Sequence, residues 1–364
     1  MHNNDKPNDA VGAPEIVAVR EAHRLDEAAL AGFMRDHNLL DGDLTVEQFQ
    51  GGQSNPTYLL TTGTGDRRAR YVLRKKPPGE ILPSAHRIDR EYKVMHALRD
   101  APGVPVPAMR AYGTDESILG TEFFIMDYIA GRVFSDPGLP DLAPAERGTL
   151  YGAMIDRMAD LHSVDVEAAG LADFGKPHGY VERQIKRWRS QYEASTDAPD
   201  ANMIALGDWL ADNIPADVAP AIAHGDFRLG NLLVAPGSFE VAAVLDWELA
   251  TLGHPIADLA YACMPYYLPQ GIPGLKGIDG MDLAAAGIPS EADQLARYRE
   301  RRGIGPIDDW PVFMAFSLFR IAAILQGVYA RAQAGNASNA DALAVGKQAT
   351  VMAECGWKIA RDAG

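Results

Sequence analysis

The sequence predicts an α+β chain of two lobes, a small antiparallel-sheet lobe followed by a larger, mostly helical one. Three observations lead there. At 364 residues the chain is longer than one hydrophobic core ordinarily supports. Short β-branched and aromatic runs separated by turn residues dominate as far as Met126, whereas apolar residues recur at helical spacing from Pro144 onward. Polar chemistry is concentrated in one later stretch, Ala223-His224-Gly225-Asp226-Phe227-Arg228-Leu229-Gly230-Asn231, followed by Asp246-Trp247-Glu248.

Bulk properties narrow the classes. Apolar residues make up 47% and charged residues 23%, as in ordinary soluble globular chains. A formal charge of −15 disfavours nucleic acid or an anionic membrane as a partner. Cys263 and Cys355 are far apart and show no metal-ligand spacing, and no apolar leader follows Met1, so a reduced, cytoplasmic protein is expected. The most apolar segment, Val312–Ala330, contains Arg320 and Gln326 and reads as a core helix. The oligomeric state is left open.

Residues 1–24 are expected to be a mobile arm, polar at the start and without a period. The first lobe should run over 25–126. It opens with a short helix over Leu25–His37, carrying Leu25, Leu30, Phe33 and Met34. Val46–Phe49 and Thr57–Leu60 then read as strands flanking a turn that contains Gly51, Gly52, Gln53, Ser54 and Asn55. Such a turn lets backbone N–H groups approach phosphates, although glycine-rich hairpins are common and Pro56 removes one donor. Tyr71–Lys76 is a third strand, with Arg74 and Lys75 pointing to opposite faces.

Ser84–Arg99 reads as a helix with Ser84 as its cap and Ile88, Tyr92, Met95 and Leu98 as its stripe. Glu91 lies beside that stripe and is assigned to pair with Arg74; the plain alternative is an exposed pair with Arg87. Pro102–Pro107 is a stiff connector into strands Ala108–Tyr112 and Phe123–Met126. Residues 127–131 should form a hinge, and 132–364 the second lobe.

In that lobe, Glu146–His162 is a helix with Leu150, Met154, Met158 and Leu161 on one face, and His162 reads as a core or capping histidine. Gly179–Glu193 buries Val181, Ile185, Trp188 and Tyr192, while Arg183, Lys186, Arg187 and Arg189 gather on another face. Such faces are usually solvated; the functional alternative is a dock for an anionic acceptor. Leu232–Val234 and Val241–Leu245 form a hairpin that should return Asp246 beside Asp226 and Asn231. Tyr261, Tyr266 and Tyr267 border a loop, Pro265–Gly280, that could close over an acceptor. Ser290-x-x-Asp293 is a capping box, and Asp309–Ala332 and Ala340–Ala360 complete the helices. Arg320, inside so apolar a segment, needs a partner or a ligand.

The polar block has a chemical logic. A hard cation such as Mg²⁺ takes oxygen ligands and completes its shell with water and phosphates, for which Asn231 and Asp246 are suited. Asp226 is left to accept a proton from an attacking hydroxyl. An Asp five residues before an Asn, with a second Asp further on, matches the phosphoryl-transfer template of protein kinases. Gly225 replaces the template's Arg, and Asp246-Trp247-Glu248 replaces Asp-Phe-Gly. A metal-dependent hydrolase could use the same three residues, but would have no need of an Arg74–Glu91 pair.

His-Gly-Asp-x-x-x-x-Asn followed by Leu-Asp-Trp-Glu resembles the aminoglycoside phosphotransferase and choline-kinase-like family. The chain most resembles the phosphotransferase-like domain found alone in bacteria or fused ahead of acyl-CoA dehydrogenases. The resemblance implies a protein-kinase-like two-lobe fold and a small-molecule kinase using ATP, with GTP an open alternative, and Mg. It implies that Arg74 contacts the α/β-phosphates and that the 51–55 turn lies over them. It further implies that Asp127 C=O and Ile129 N–H meet the adenine edge. Asp258 would brace the Asp226 loop, and His224 would support it. The acceptor would be a hydroxyl of a small molecule, with a hydroxyacyl-CoA the candidate that the dehydrogenase-linked domains suggest. Arg183, Lys186, Arg187, Arg189, Arg320 and Glu248 are the candidate acceptor contacts. An aminoglycoside or choline-type acceptor, or a nucleotide-binding regulator without turnover, are the alternatives.

Overall fold

The structure, a computed structural model, describes residues 15–50, 55–77, 87–271, 275–334 and 341–363. The chain divides into two compact units, Met1–Phe134 with Gly230–Ala250, and Ser135–Leu229 with Thr251–Gly364.

The first unit begins with β1 (Ile16–Val17), then α1 (Glu27–Asp36), β2 (Leu44–Phe49), β3 (Thr57–Thr62) and β4 (Ala69–Lys75). α2 (Ile88–Leu98), β5 (Met109–Gly113), α3 (Glu116–Leu119) and β6 (Phe123–Asp127) follow. The strands form one antiparallel sheet in the order β1-β2-β3-β4-β6-β5. α1 starts where Asp26 accepts the Ala29 N–H at 2.9 Å, and Leu30 and Met34, one turn apart, go to the core. There they join Tyr58, Leu60, Leu73, Phe123 and Ile125 from one face of the sheet.

Alternation along β4 then puts neighbours on opposite faces. Leu73 lies in that core, and Lys75, buried, donates through Nζ to Leu119 C=O at 2.6 Å. Arg74 faces the other way, toward α2. That helix buries Ile88, Glu91, Val94, Met95 and Leu98. Tyr92, expected in its buried stripe, is half-buried and stacks on Tyr112 instead, and Val94 takes the core position. Ser84 lies outside the described residues.

Residues 15–24 correct the expected arm. Ile16 and Val17 pair with Phe49 and Gln48 at the sheet edge, and a 3-10 turn covers Glu21–His23. The Gln48 side chain accepts from Arg20 N–H at 3.1 Å and meets His23 Nδ1 at 2.8 Å, while Tyr58 Oη donates to His23 C=O at 2.7 Å. The edge is secured by buried polar groups on β2 and β3, and a two-residue strand leaves no period to read.

The chain enters the second unit with α4 (Pro144–His162), α5 (Tyr180–Glu193), α6 (Ala201–Asp212) and β7 (Ala221–Ala223). It returns to the first unit for β8 (Leu232–Val234) and β9 (Val241–Val244), the hairpin that the sequence predicts, with Leu232 opposite Val244. The chain thus passes between the units three times, after Phe134, Leu229 and Ala250, where the sequence suggests a single break at 127–131. The reason is backbone pairing: Arg132 and Val234 exchange both N–H···O=C bonds at 2.8 Å, and Val244 N–H donates to Pro105 C=O at 2.8 Å.

The second unit closes with β10 (Thr251–Gly253), paired antiparallel to β7, then α7 (Pro255–Cys263), α8 (Leu283–Ala286), α9 (Glu291–Arg302), α10 (Trp310–Gln333), α11 (Ala342–Gly346) and α12 (Ala349–Ala363). α10 has the length and mean hydropathy (1.7) to cross a membrane, and 72% of that window is buried as the core helix packed by α5, α6, α7 and α12. Tyr266 and Tyr267 do not hang free over an acceptor. Their hydroxyls donate to Pro289 C=O and Glu291 at 2.7 and 2.8 Å, pinning the chain after α7 to the start of α9.

Candidate active site

A cavity of about 480 Å³ opens within the first unit. One part has apolar walls from Val72, Met126, Val133 and Leu233, bordered by the Asp127-Tyr128-Ile129 strand end. The other part is polar, with Arg74, Glu91, Asn231 and Asp246. β4 supplies Arg74, α2 supplies Glu91, and the β8–β9 hairpin supplies the last two.

Arg74 organises the polar part. Its Nη1 lies 2.9 Å from Glu91 Oε1, its Nη2 2.9 Å from Asp246 Oδ1 and 3.9 Å from Glu248 Oε2. Glu91 is 1% exposed, so the pair is the inward one and not the surface alternative with Arg87, which instead pairs with Asp89. Burial pushes the Glu91 carboxyl up to about 7, opposed by Arg74 and reinforced by Asp246 and Glu248. Burial would lower the Arg74 guanidinium, but Glu91, Asp246 and Glu248 together raise it, so it stays a cation.

The hairpin sets the remaining groups. Leu245 N–H donates to Asn231 C=O at 2.8 Å, so Asp246 begins directly beyond the paired end. Asp246 then turns at φ 67°, a left-handed conformation that Asp tolerates better than most residues. The turn continues through Trp247, fully buried, whose Nε1 donates to Val244 C=O at 2.9 Å. Asn55, 0% exposed, donates through Nδ2 to Glu248 Oε2 at 3.5 Å. Gly51, Gly52, Gln53 and Ser54 lie outside the described residues. The Asp127 carboxylate is held by Arg110 at 2.7 and 2.5 Å, on the strand edge.

Asn231, Asp246 and Glu248 offer hard oxygen donors, two carboxylates and an amide. Among the described residues no three His, Cys, Asp or Glu side chains converge as a closed metal cage. That donor chemistry fits Mg²⁺ held jointly by protein and phosphates better than a fully protein-ligated ion.

Asp226 belongs to the second unit, on the loop after β7. Asp258, 3% exposed, accepts His224 N–H at 2.5 Å and Gly225 N–H at 2.8 Å. It also meets His162 Nε2 at 3.4 Å, and His162 Nδ1 lies 2.7 Å from Tyr298 Oη. Burial holds His162 below its usual pKa, while Asp258, although buried, is held down by His162, His224 and the Gly225 N–H. The contact is a hydrogen bond to a neutral imidazole. His224 Nδ1 accepts from Asp226 N–H at 3.2 Å. The Asp226 carboxylate receives Arg228 at 3.3 Å, and its charge adds to burial in raising the pKa of the neighbouring Tyr261 hydroxyl.

Arg320 finds its partner inside the chain, donating through Nη2 to Gly225 C=O at 2.6 Å. The α5 cations are also engaged locally: Arg183 with Lys176 C=O at 2.9 Å, Lys186 with Glu182 at 2.6 Å, and Arg189 with Asp208 and Glu193. Arg187 lies over the Trp188 ring at 5.2 Å. Sequence reasoning missed Tyr261 as a partner of Asp226. Its position one helical turn after Asp258 was the available signal, since i and i+3 share a face. The apolar cavity walls gave none, being indistinguishable from core.

The sequence profile described as "Phosphotransferase enzyme family" matches residues 45–313. Acyl-CoA dehydrogenase family member 10 of Mus musculus is 44% identical over 358 residues, 97% of this chain and 33% of that protein. Acyl-CoA dehydrogenase family member 11 of Homo sapiens is 39% identical over 361 residues, 97% of this chain and 45% of that protein. The chain thus spans between a third and a half of these relatives. A Ralstonia eutropha JMP134 structure, named as a candidate aminoglycoside phosphotransferase, superposes with TM-score 0.84 at 45% identity, covering 93% of this chain and 99% of that one. Choline kinase from Cryptosporidium parvum Iowa II shares the fold, with TM-score 0.64 at 14% identity over 93% of this chain and 96% of its own. The antiparallel-sheet unit and the helical unit are those of the kinase-like fold, and the chain is a member of the phosphotransferase enzyme family.

Proposed function

We propose that the chain is a small-molecule kinase that transfers the γ-phosphoryl group of Mg·ATP to a hydroxyl. The observation that carries this reading is Arg74, a cation fixed between Glu91 and Asp246 at the polar end of a cavity with apolar walls. A purine fits between Val72, Met126, Val133 and Leu233, with the 127–129 backbone along its edge. Arg74 would then orient the phosphates, its fork suiting phosphate oxygens better than a lysine's point charge. Asn55 would border them from the adjoining turn. Asn231 and Asp246 would hold magnesium, which neutralises charge on the phosphates. Asp226 would accept the hydroxyl proton as the oxygen attacks phosphorus, with Asp258 and His224 keeping its loop in shape. Positioning and charge neutralisation carry most of the rate in such a loose transition state.

For the acceptor we favour a hydroxyacyl-CoA, on the strength of the relatives named as acyl-CoA dehydrogenases. The local pairing of Arg183, Lys186 and Arg189 weakens the α5 face as an anion dock. Arg187 and Glu248 stay candidate contacts. The test is calorimetry with ATP and GTP, with and without Mg²⁺, followed by ADP release across hydroxyacyl-CoAs, choline and an aminoglycoside. Nucleotide binding that needs Mg²⁺, and ADP release stimulated by a hydroxyacyl-CoA alone, are expected. Absence of nucleotide binding overturns the kinase reading; stimulation by choline or the aminoglycoside overturns the acceptor.

A further inference from the structure

A guanidinium in the middle of α10 is costly, because the helix around it is apolar and buried from Phe313 to Leu325. Arg320 is 7% exposed all the same. Its Nη2 donates to Gly225 C=O at 2.6 Å, and its guanidinium carbon lies 5.3 Å from the Tyr261 ring and 5.6 Å from the Trp188 ring. Burial, and after it the charge of the nearby Asp226 carboxylate, push the Tyr261 hydroxyl well above its ordinary pKa. Gly225 sits at φ 83°, where a glycine is at ease, so nothing intrinsic to that residue fixes its peptide planes. The surroundings do: Asp258 takes the N–H groups of His224 and Gly225, and Arg320 takes the carbonyl of the Gly225–Asp226 peptide. An apolar residue of similar length would fill the α10 position without burying a charge.

We infer that Arg320 and Tyr261 act together as positioning residues for Asp226. Arg320 fixes the plane of the peptide that precedes Asp226 and, through its cation–π contact, the ring of Tyr261; the hydroxyl of Tyr261 then fixes the direction of the carboxylate. Neither side chain needs to touch substrate. The inference rests on the reading of Asp226 as the base, and it moves Arg320 from the acceptor side to the support of the loop.

The test compares Tyr261→Phe, which keeps the ring, and Arg320→Met, which keeps length without charge, with the parent and Asp226→Asn. The probe is ADP release from Mg·ATP with water as acceptor. On the same proteins, amide exchange is followed over residues 221–229. Tyr261→Phe should lower kcat about tenfold and Arg320→Met about 10–100-fold, a part of the roughly 10²–10⁴-fold that a general base contributes. KM for ATP should stay within about twofold and Tm nearly unchanged for Tyr261→Phe. Exchange over 224–226 should rise in Arg320→Met. The double variant should lose less than the product of the single losses, since both act through one loop. Parent-like kcat in both single variants, or kcat falling only in step with KM and Tm, overturns the inference. If Asp226→Asn turns over like the parent, the base assignment fails with it. If Asp226→Asn is inactive while the other two are unaffected, only the positioning role fails.

Discussion

Glu91 is a carboxylate with almost no solvent and three charged neighbours, and its energetics are set by the loss of water more than by Arg74. The sign of its pH dependence follows. Its folded pKa of about 7 lies above the ordinary 4.5, so the folded protein holds a proton that the unfolded chain releases between those values. The stability tied to that proton is complete below about pH 4.5 and is lost as pH rises through 7. Glu91→Gln should remove this slope. From pH 5 to 8 the parent should lose roughly 1–3 kcal/mol relative to the variant, read as melting temperature against pH. Parallel curves would show Glu91 ionised throughout. Asp246 gives a second test at this scale. Asp246→Asn keeps shape and loses charge, so Mg·ATP should bind about tenfold or more weakly by calorimetry while metal-free nucleotide changes little. Equal affinity would remove Asp246 from the ligand set.

Elements show where sequence reasoning succeeds and where it stops. The Arg74–Glu91 pair was legible because strand alternation and helical periodicity each fix a direction, and the two directions meet. The β8–β9 hairpin was legible because aliphatic runs flank a turn-rich stretch. The edge strand β1 was not, since its two residues gain their place from Gln48 and Tyr58, which lie far along the chain. α6 went unread although Asp200 caps it at 2.8 Å, because Ala201–Asp212 has only a weakly one-sided pattern. Deleting residues 1–24 should therefore lower Tm by several degrees, by stripping Gln48 and Tyr58 of partners. An unchanged melting curve would restore the mobile-arm reading. Gly131 gives a sharper probe. A Cβ there would stand 2.5 Å from Leu233 Cγ and 2.9 Å from Val234 C=O. Gly131→Ala should cost roughly 1–3 kcal/mol in denaturant unfolding and weaken nucleotide binding through Leu233. Parent-like values in both would mean that the hairpin gives way freely.

For the whole molecule, the family was legible in a few residues because phosphoryl transfer constrains them chemically, whereas the acceptor leaves no comparable residue signature. A saturating ligand adds stability by mass action, about 2.7 kcal/mol at a hundred times its Kd. Mg·ATP at that excess should raise Tm by several degrees, and ATP with chelator should do less. A shift of equal size with and without Mg²⁺ would argue against joint binding of metal and nucleotide.

The interleaving of the two units in sequence has a consequence for biosynthesis. Gly230, Asn231, Leu233, Leu245 and Asp246 border the cavity of the first unit, yet they are translated only after residues 135–229 have been made. A nascent chain halted near residue 134 carries the six-stranded sheet without part of its own pocket wall. No contiguous fragment consists of the first unit alone, and a ribosome must build nearly half of its neighbour before the cavity can be finished.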